Sequence, residues 1–377
     1  MKNLLLLVAA LGSFGVINAQ SIFFSEILTT PPGTDTDREY IELRCDDCTP
    51  GQVLDNIYVI SVEGDKENTT GTGRIDYIES LDGLVMGANG FIVIATAASQ
   101  ASFTIDAGAT IVTSTTPDIE NLSQNWFIVQ TTGDTDIPDT SDDLDSMNNG
   151  IIDDTTFLSW TILDSISLID DDGAGAEGEA AYSSQIVISE PDNSGDANFS
   201  TQTGSNIFFL PLNPSGTSDA FLPLEYVARV GNSTGSTISD SASSDWLVAN
   251  ISSSGDFPNY TIRSGGSNQI DAVPQFYEGE SINHIGSENI VPTILSVTEQ
   301  ELTDGISFFP NPTKNVVNIN AKADIISSIE VIDATGKILV QKNNDLDVVD
   351  LSNLSAGLYY MNVYAEGARI TKTLVKN

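Results

Sequence analysis

The sequence predicts an all-β fold. Short runs that alternate apolar and polar residues recur along the chain, separated by clusters of Gly, Ser, Asn and Asp. None of these runs shows sustained helical periodicity with capping residues. The central region of about 285 residues is long enough to bury a sizeable core and still carry long polar loops. A β-sandwich is the architecture that these observations favour.

The predicted strands of the first 290 residues follow from this alternation. The run at 21–28 opens the region, and 91–95 is a continuous apolar segment after the turn residues Gly87 and Gly90. In residues 39–43, Glu39 and Glu42 fall on opposite faces of the pleat, so this strand is expected to separate core from solvent. Trp126, Trp160 and Trp246 are interpreted as packing aromatics. The predicted strands are 21–28, 39–43, 56–62, 74–78, 91–95, 125–130, 161–169, 185–189, 206–210 and 225–230.

The last 72 residues predict a small seven-stranded β-sandwich. Val317 and Ile319 fall on one face of a strand, and Gly336 can supply the positive φ of a hairpin turn. The predicted strands are 306–309, 316–320, 328–332, 337–341, 347–350, 358–364 and 368–375.

The motif residues of this segment, 306–377, are Pro310, Asn311, Pro312, Gly336, Gly357 and Tyr359. Through them the segment resembles the C-terminal sorting domain of the type IX (Por) secretion system of Bacteroidetes. The resemblance implies recognition by the type IX translocon at the outer membrane. Release from the cell or attachment to surface lipopolysaccharide would follow. It indicates a destination and no chemistry.

The first 19 residues have the pattern of a secretory signal peptide. Lys2 gives a positive start, residues 4–11 are apolar, and Ala19 ends a small-residue cleavage site. No other run approaches the roughly 18 apolar residues that a membrane helix needs, so we expect no transmembrane segment.

The charge of the chain is concentrated between these two ends. The formal net charge is −39, from 14 basic and 53 acidic residues. Residues 306–377 hold seven of each sign and residues 1–19 hold one lysine, which leaves six basic and 46 acidic residues for 20–305, a net of −40. A field of this sign repels phosphate backbones and anionic lipid, so nucleic acid is excluded as a partner.

Six pieces of the central region together match a known domain pattern: residues 24–27, 39–43, 84–94, 162–166, 227–230 and 244–246. Through them the region resembles the lamin-tail domain, an immunoglobulin-like sandwich that also occurs in secreted bacterial proteins. The resemblance implies an immunoglobulin-like (lamin-tail-type) β-sandwich, here with long acidic loops inserted at 134–154 and 170–220. Relatives commonly have a different sequence at the positions of Cys45 and Cys48.

Catalytic chemistry has little support in the sequence. The one histidine, His284, lies in a Gly/Ser/Asn-rich stretch without a nucleophile motif or zinc spacing, and is expected to be an exposed linker residue. The many carboxylates offer acid–base pairs, but nothing singles out one pair. We therefore expect a protein that is not an enzyme and has no resident cofactor other than, in one alternative, Ca²⁺.

Two other sites are candidates. Calcium takes six to eight oxygen ligands, which the acidic loop offers without the alternating register of a calcium-binding loop, and a solvated acidic loop is the alternative. The candidate ligands are Asp142, Asp143, Asp145, Asn149 and Asp153. Cys45 and Cys48 follow a strand and are flanked by acids, which favours a structural disulfide in an exported protein over redox chemistry.

The predicted organisation is a signal peptide at 1–19, a lamin-tail-like domain at 20–290, a linker at 291–305 and a sorting domain at 306–377. The predicted function is that of a secreted or surface-attached binding, adhesion or structural protein. Surface lipopolysaccharide, extracellular polysaccharide or protein are its expected partners. The alternatives are a calcium-stabilised surface or matrix protein, and an accessory module or weak hydrolase acting on extracellular polymers.

Overall fold

The chain divides into two compact units, Met1–Pro292 and Thr293–Asn377. A computed structural model describes residues 21–33, 38–65, 72–114, 119, 123–169, 179–189, 206–210, 224–241, 243–263, 270–291, 307–320, 326–333, 335–365 and 368–377. The predicted signal peptide, most of the predicted linker and most of the 170–220 insertion lie outside these residues.

The first unit is built from two six-stranded sheets. Their orders are β12-β11-β1-β2-β5-β6 and β10-β9-β8-β7-β3-β4, and most neighbouring strands are antiparallel. The strands are β1 (Ile22–Leu28), β2 (Tyr40–Cys45), β3 (Ile57–Glu63), β4 (Ile75–Ser80), β5 (Phe91–Ala95), β6 (Thr110–Thr113), β7 (Gln124–Gln130), β8 (Thr161–Ile169), β9 (Ile186–Ser189), β10 (Asn206–Phe209), β11 (Tyr226–Arg229) and β12 (Trp246–Ala249).

The all-β prediction is confirmed, and ten of these strands fall on the predicted segments. The sequence pattern did not predict β6, β12 or one helix, α1 (Ala97–Ser102). Strand β12 is apolar at all four positions and β6 has its two apolar residues, Ile111 and Val112, side by side, so neither shows alternation. The helix has six residues, and it begins after Thr96, whose hydroxyl accepts a hydrogen bond from the Ser99 backbone N–H at 3.0 Å.

The principal core of this unit lies between the two sheets. Alternate residues of β1 and β2, among them Phe24, Ile27, Ile41 and Leu43, face Trp126 and other apolar residues of the second sheet. All three tryptophans are buried, as predicted.

A second core, which the sequence pattern did not predict, covers the outer face of the first sheet. Residues between 251 and 290 pack there against Leu28, Tyr40 and Tyr226, and they contribute Tyr260, Ile262, Tyr277, Ile282 and Ile285. The expectation that β2 separates core from solvent is therefore wrong. All six residues of β2 are buried, and so are Glu39 and Glu42, because a distant part of the chain covers the face that alternation assigned to solvent.

A buried ion pair joins the two sheets through the principal core. The Arg229 guanidinium on β11 lies 2.9 Å from the Asp164 carboxylate on β8, and both side chains are essentially inaccessible to solvent. Asp164 also accepts the backbone N–H of Phe24 at 2.8 Å, and Arg229 donates to the backbone carbonyl of Phe24 at 2.8 Å. The guanidinium stacks 4.3 Å from the centre of the Trp246 ring. Strands β1, β8, β11 and β12 are thus fixed to one another by one group of side chains.

The second unit has two small sheets, ordered β13-β14-β17 and β16-β15-β18-β19. All seven predicted strands are present. Val317, Ile319, Val331 and Val363 contribute to its own hydrophobic core. The strands are β13 (Ser307–Phe309), β14 (Val316–Asn320), β15 (Ile326–Ile332), β16 (Ile338–Lys342), β17 (Val348–Asp350), β18 (Gly357–Ala365) and β19 (Ala368–Lys376).

Removing one member of the Arg229–Asp164 pair should destabilise the first unit strongly. Asp164→Asn leaves a buried guanidinium without its counter-ion, and we expect a loss of about 3–5 kcal/mol in the free energy of unfolding. Urea unfolding followed by tryptophan fluorescence measures it. The matched control is Asp55→Asn, which makes the same substitution at an exposed position, and we expect a change of about 0.5 kcal/mol or less. Equal losses in the two variants would contradict the structural role given to Arg229 and Asp164.

Candidate functional site

Two glutamates lie side by side inside the second core. Glu26 on β1 and Glu42 on β2 are direct cross-strand partners and are both fully buried. The pairing of β1 with β2 shifts register between Phe24 and Glu26, so a bulge at Ser25 sets the direction of the Glu26 side chain. Two carboxyl groups are therefore held together in a place from which water is excluded.

The hydroxyl groups of two tyrosines donate to Glu26. Tyr40 donates to Oε1 at 2.8 Å, and Tyr226 donates a short hydrogen bond to Oε2. Glu42 accepts the backbone N–H of Gly286 at 2.5 Å. This hydrogen bond attaches to the sheet the residues between 251 and 290 that cover its outer face, which we name the covering segment. Close by, the Asn289 side chain donates to the backbone carbonyls of Ser25 and Arg229 at 2.9 and 3.0 Å.

Burial and the neighbouring charges favour the protonated forms of Glu42, Tyr40 and Tyr226. Burial raises the pKa of Glu42 well above its ordinary value, the nearby Glu26 carboxylate raises it further, and the hydrogen bond from Gly286 opposes the rise. Burial and the Glu26 carboxylate also raise the pKa of the Tyr40 and Tyr226 hydroxyls. The two tyrosines therefore stay neutral and act as donors.

His284 belongs to this cluster, so the prediction of an exposed linker residue is wrong. Its Nδ1 lies 3.5 Å from Glu26 Oε2, and its side chain is only 15% exposed. The covering segment, not a linker, carries it to the sheet: Ile282 and Ile285 on either side are buried in the second core. The sequence signal was Glu26, a charged residue in strand 22–28 whose other residues except Ser25 are apolar, because a buried charge needs a polar partner.

The space beside the cluster is small. A cavity of about 10 Å³, room for roughly one water molecule, is lined by Tyr226, Arg229, His284 and Asn289 among others. In this conformation the cluster can hold protons and fix the covering segment.

The predicted calcium ligands accept hydrogen bonds within their own loop. Asp145 is buried and accepts from the backbone N–H groups of Asn149 and Gly150 and from the Tyr182 hydroxyl, at 3.0, 2.6 and 2.9 Å. Asp153 accepts from the Ser146 hydroxyl at 3.0 Å, and Asn149 accepts from the Ile151 N–H at 3.0 Å.

The remaining two candidates also bond locally. Asp142 accepts from the Asp139 N–H at 2.9 Å and Asp143 from the Asp145 N–H at 3.2 Å. Throughout the described part of the chain, the only His, Cys, Asp and Glu ligand atoms that form a group of three within 4.8 Å belong to Cys45, Asp47 and Cys48. The four candidate aspartates therefore do not converge on one point, and calcium binding stays a prediction.

Cys45 and Cys48 are joined by a disulfide. The loop that it closes also holds the start of β1, because Asp47 accepts the Ser21 N–H at 3.0 Å and the Asp46 N–H donates to the Ser21 carbonyl at 3.1 Å. The arrangement is that of a structural crosslink.

In the second unit, the residues that carry the sorting resemblance have structural roles. The Asn311 side chain donates to the Thr373 carbonyl at 2.8 Å and accepts the Val375 N–H at 2.9 Å, so the segment with Pro310 and Pro312 is fastened to the edge of β19. Gly336 has a φ of +85° in the turn between β15 and β16.

Gly357 and Tyr359 lie at the start of β18. The buried Tyr359 donates from its hydroxyl to the Ser355 carbonyl at 2.8 Å, which fixes the turn that leads into the strand. The motif thus holds the turns and edge of this unit in place.

Comparison with known proteins identifies the second unit. Residues 307–377 match the secretion system C-terminal sorting domain, the Por secretion tail family. No curated protein matches the chain. The match supports export by the type IX secretion system to the cell surface or the extracellular space, which implies interaction with the type IX machinery. No helix among the described residues has the length and hydropathy needed to cross a membrane.

The buried carboxyl pair should make stability depend on pH. Because the pKa of Glu42 is raised in the folded state, the folded protein keeps a proton that the unfolded chain loses near pH 4.5. The stability from this proton is fully present below that pH and is lost as the pH rises through the folded pKa. We expect Glu42→Gln, which cannot ionise, to reduce the fall in unfolding free energy between about pH 5 and about pH 8.

Urea unfolding at the two pH values measures this difference. The neighbours that titrate or carry charge, Glu26, Tyr40, Tyr226, His284 and Arg44, stay unchanged in both proteins. Glu280→Gln removes the same charge from an exposed position and should keep the wild-type dependence. A wild-type pH dependence in Glu42→Gln would overturn the interpretation of the pair.

Proposed function

We propose that the protein is a secreted or cell-surface-attached binding, adhesion or structural protein without enzymatic activity. In this proposal the signal peptide at 1–19 directs the chain across the inner membrane, and the sorting domain directs it across the outer membrane. The observation that carries the proposal is the match of residues 307–377 to the sorting domain family. The first unit is then the cargo, and a bacterium of the Bacteroidetes is the proposed source.

A non-enzymatic role is supported by the positions of the acid–base groups Glu26, Glu42 and His284 in the first unit, which lie between the sheet and the covering segment. Among the described residues, Glu42 accepts the Gly286 N–H of the covering segment, and His284 of that segment lies 3.5 Å from Glu26, so these groups connect the segment to the sheet. The charge of the first unit favours partners that are neutral or cationic. Extracellular polysaccharide and other surface proteins are the proposed partner classes. Surface lipopolysaccharide is proposed as the attachment point that follows export through the sorting domain.

A lamin-tail-like, immunoglobulin-like identity for the first unit remains part of the proposal. It is supported by the two packed sheets and by the contact of three residues from separate matching pieces, Asp164, Arg229 and Trp246. A calcium-stabilised surface or matrix protein is the second candidate, favoured by five oxygen-bearing candidate ligands within twelve residues of the loop 142–153. An accessory module or weak hydrolase for extracellular polymers is a further alternative.

Deleting residues 306–377 should stop export at the outer membrane. The truncated chain keeps the first unit with its own cores, so we expect it to fold and to accumulate in the periplasm. Immunoblots of periplasm, outer membrane and medium measure its distribution. The full-length chain with Met147→Ser and Leu158→Ser, two exposed positions in the first unit, is the control and should be exported normally. Wild-type levels of the truncated chain in the medium would refute the sorting role.

A further inference from the structure

The four-stranded sheet of the second unit presents a set of apolar side chains on its outer face. Val331, Met361 and Leu374 belong to the core of this unit, so they point inward from β15, β18 and β19. Because successive side chains of a strand point to opposite faces, the residues next to them point outward. Together with one residue of β16, the outward apolar residues form what we name the apolar patch: Ile332, Ile338, Leu358, Tyr360 and Val375.

Cross-strand register brings these five residues together. Ile332 is the direct partner of Ile338 on β16 and of Tyr360 on β18, so three apolar side chains lie side by side in one row. Leu358 and Val375 pair in the neighbouring row, two positions along β18 from Tyr360. The exposed fractions of Ile338 and Leu358 are 48% and 49%. The patch is therefore one surface that extends across all four strands.

The outer face of the three-stranded sheet is built differently. It also exposes apolar side chains, those of Phe309, Val316 and Val348. Asn318 lies between Phe309 and Val348 in the register of the strands. Asp350 is the cross-strand partner of Val316. Polar side chains therefore separate the apolar ones on this face, whereas the apolar patch is continuous.

The residues that carry the sorting resemblance support the strands of the patch. Asn311 makes hydrogen bonds to the backbone of β19 at Thr373 and Val375. Gly336 lies in the turn between β15 and β16, and the Tyr359 hydroxyl fixes the turn that leads into β18. The motif thus holds in place the four strands from which the patch is built.

We propose that the apolar patch is the surface through which the second unit docks on the type IX secretion machinery, against a partner surface that is itself apolar and uncharged. The family match supplies the partner, because a sorting domain is recognised by the machinery that exports it. Exposed apolar sets are typical of interaction surfaces, and the cores of interfaces are depleted in charged residues. The inference rests on the proposed export through the sorting domain and specifies the face that is recognised.

The test measures export of the full chain when the patch is made polar. Ile338→Ser/Leu358→Ser removes the two exposed side chains of the patch. We expect this variant to reach the cell surface and the medium in amounts about tenfold lower than the wild type, and to accumulate in the periplasm. Immunoblots of periplasm, outer membrane and medium measure the distribution in a bacterium with an active type IX system.

Val316→Ser/Val348→Ser is the matched control. It makes the same substitution on the outer face of the three-stranded sheet, at side chains that are 38% and 41% exposed. We expect its export to change less than about twofold. Circular dichroism and urea unfolding of the purified full-length variants check that both fold, which their exposed positions favour.

A second measurement leaves the rest of the patch intact. The photoreactive residue benzoylphenylalanine replaces Ile338 or Val348 in the full chain, and the cells are irradiated during export. We expect position 338 to form a cross-link to a component of the type IX machinery, identified by mass spectrometry. Position 348 should form none above the background without irradiation.

Three results would overturn the proposal: normal export of Ile338→Ser/Leu358→Ser, equal loss of export in the two folded double variants, or a cross-link from position 338 that reaches only the first unit. If Ile338→Ser/Leu358→Ser does not fold, the cross-links decide, and the absence of a cross-link from position 338 to the machinery overturns the proposal. Normal export after deletion of residues 306–377 refutes the sorting role itself. Loss of export in that deletion, with normal export of Ile338→Ser/Leu358→Ser, refutes the patch alone.

Discussion

The first unit depends on one buried charge interaction, between Arg229 of the first sheet and Asp164 of the second. Both strands also reach β1 through the backbone of Phe24, and the guanidinium lies on Trp246. A buried ion pair does not guarantee high stability, but it fixes which strands face each other, because any other alignment would leave a charge unpaired in the core. The alignment of the sheets therefore sets the position of β1 and β2, on which the second core and the Glu26–Glu42 pair are built.

Two groups of acidic residues in the first unit have different roles, the buried glutamates of β1 and β2 and the aspartates of the loop 131–160. Glu26 and Glu42 are internal, and they connect the covering segment to the sheet through the Gly286 N–H and the approach of His284. The aspartates of residues 131–160 accept hydrogen bonds within their own loop, such as those from Trp160 and Ser146. The first group connects the covering segment to the sheet, and the second determines the conformation of the loop.

The sequence predicted those features that depend on neighbouring residues. Alternation at Val317 and Ile319 located a strand of the sorting domain, and the spacing of Cys45 and Cys48 suggested a crosslink, because both patterns are local. The burial of Glu42 and the place of His284 could not be predicted in this way. Residues 42 and 286 meet across 244 positions, and only tertiary packing decides that β2 is covered on both faces. Glu26 in a largely apolar strand indicated that a buried polar partner was needed, but the sequence did not indicate that His284 would lie beside it.

Residues 307–377 match the sorting domain family, and we propose that they direct export whatever folded domain precedes them. The most direct test of this proposal is a fusion of residues 293–377 to an unrelated folded periplasmic reporter, expressed in a bacterium with an active type IX system. The account predicts that the reporter reaches the cell surface or the medium, and that it stays in the periplasm when the type IX translocon is inactivated. A fused reporter that remains in the periplasm of the active strain would contradict it.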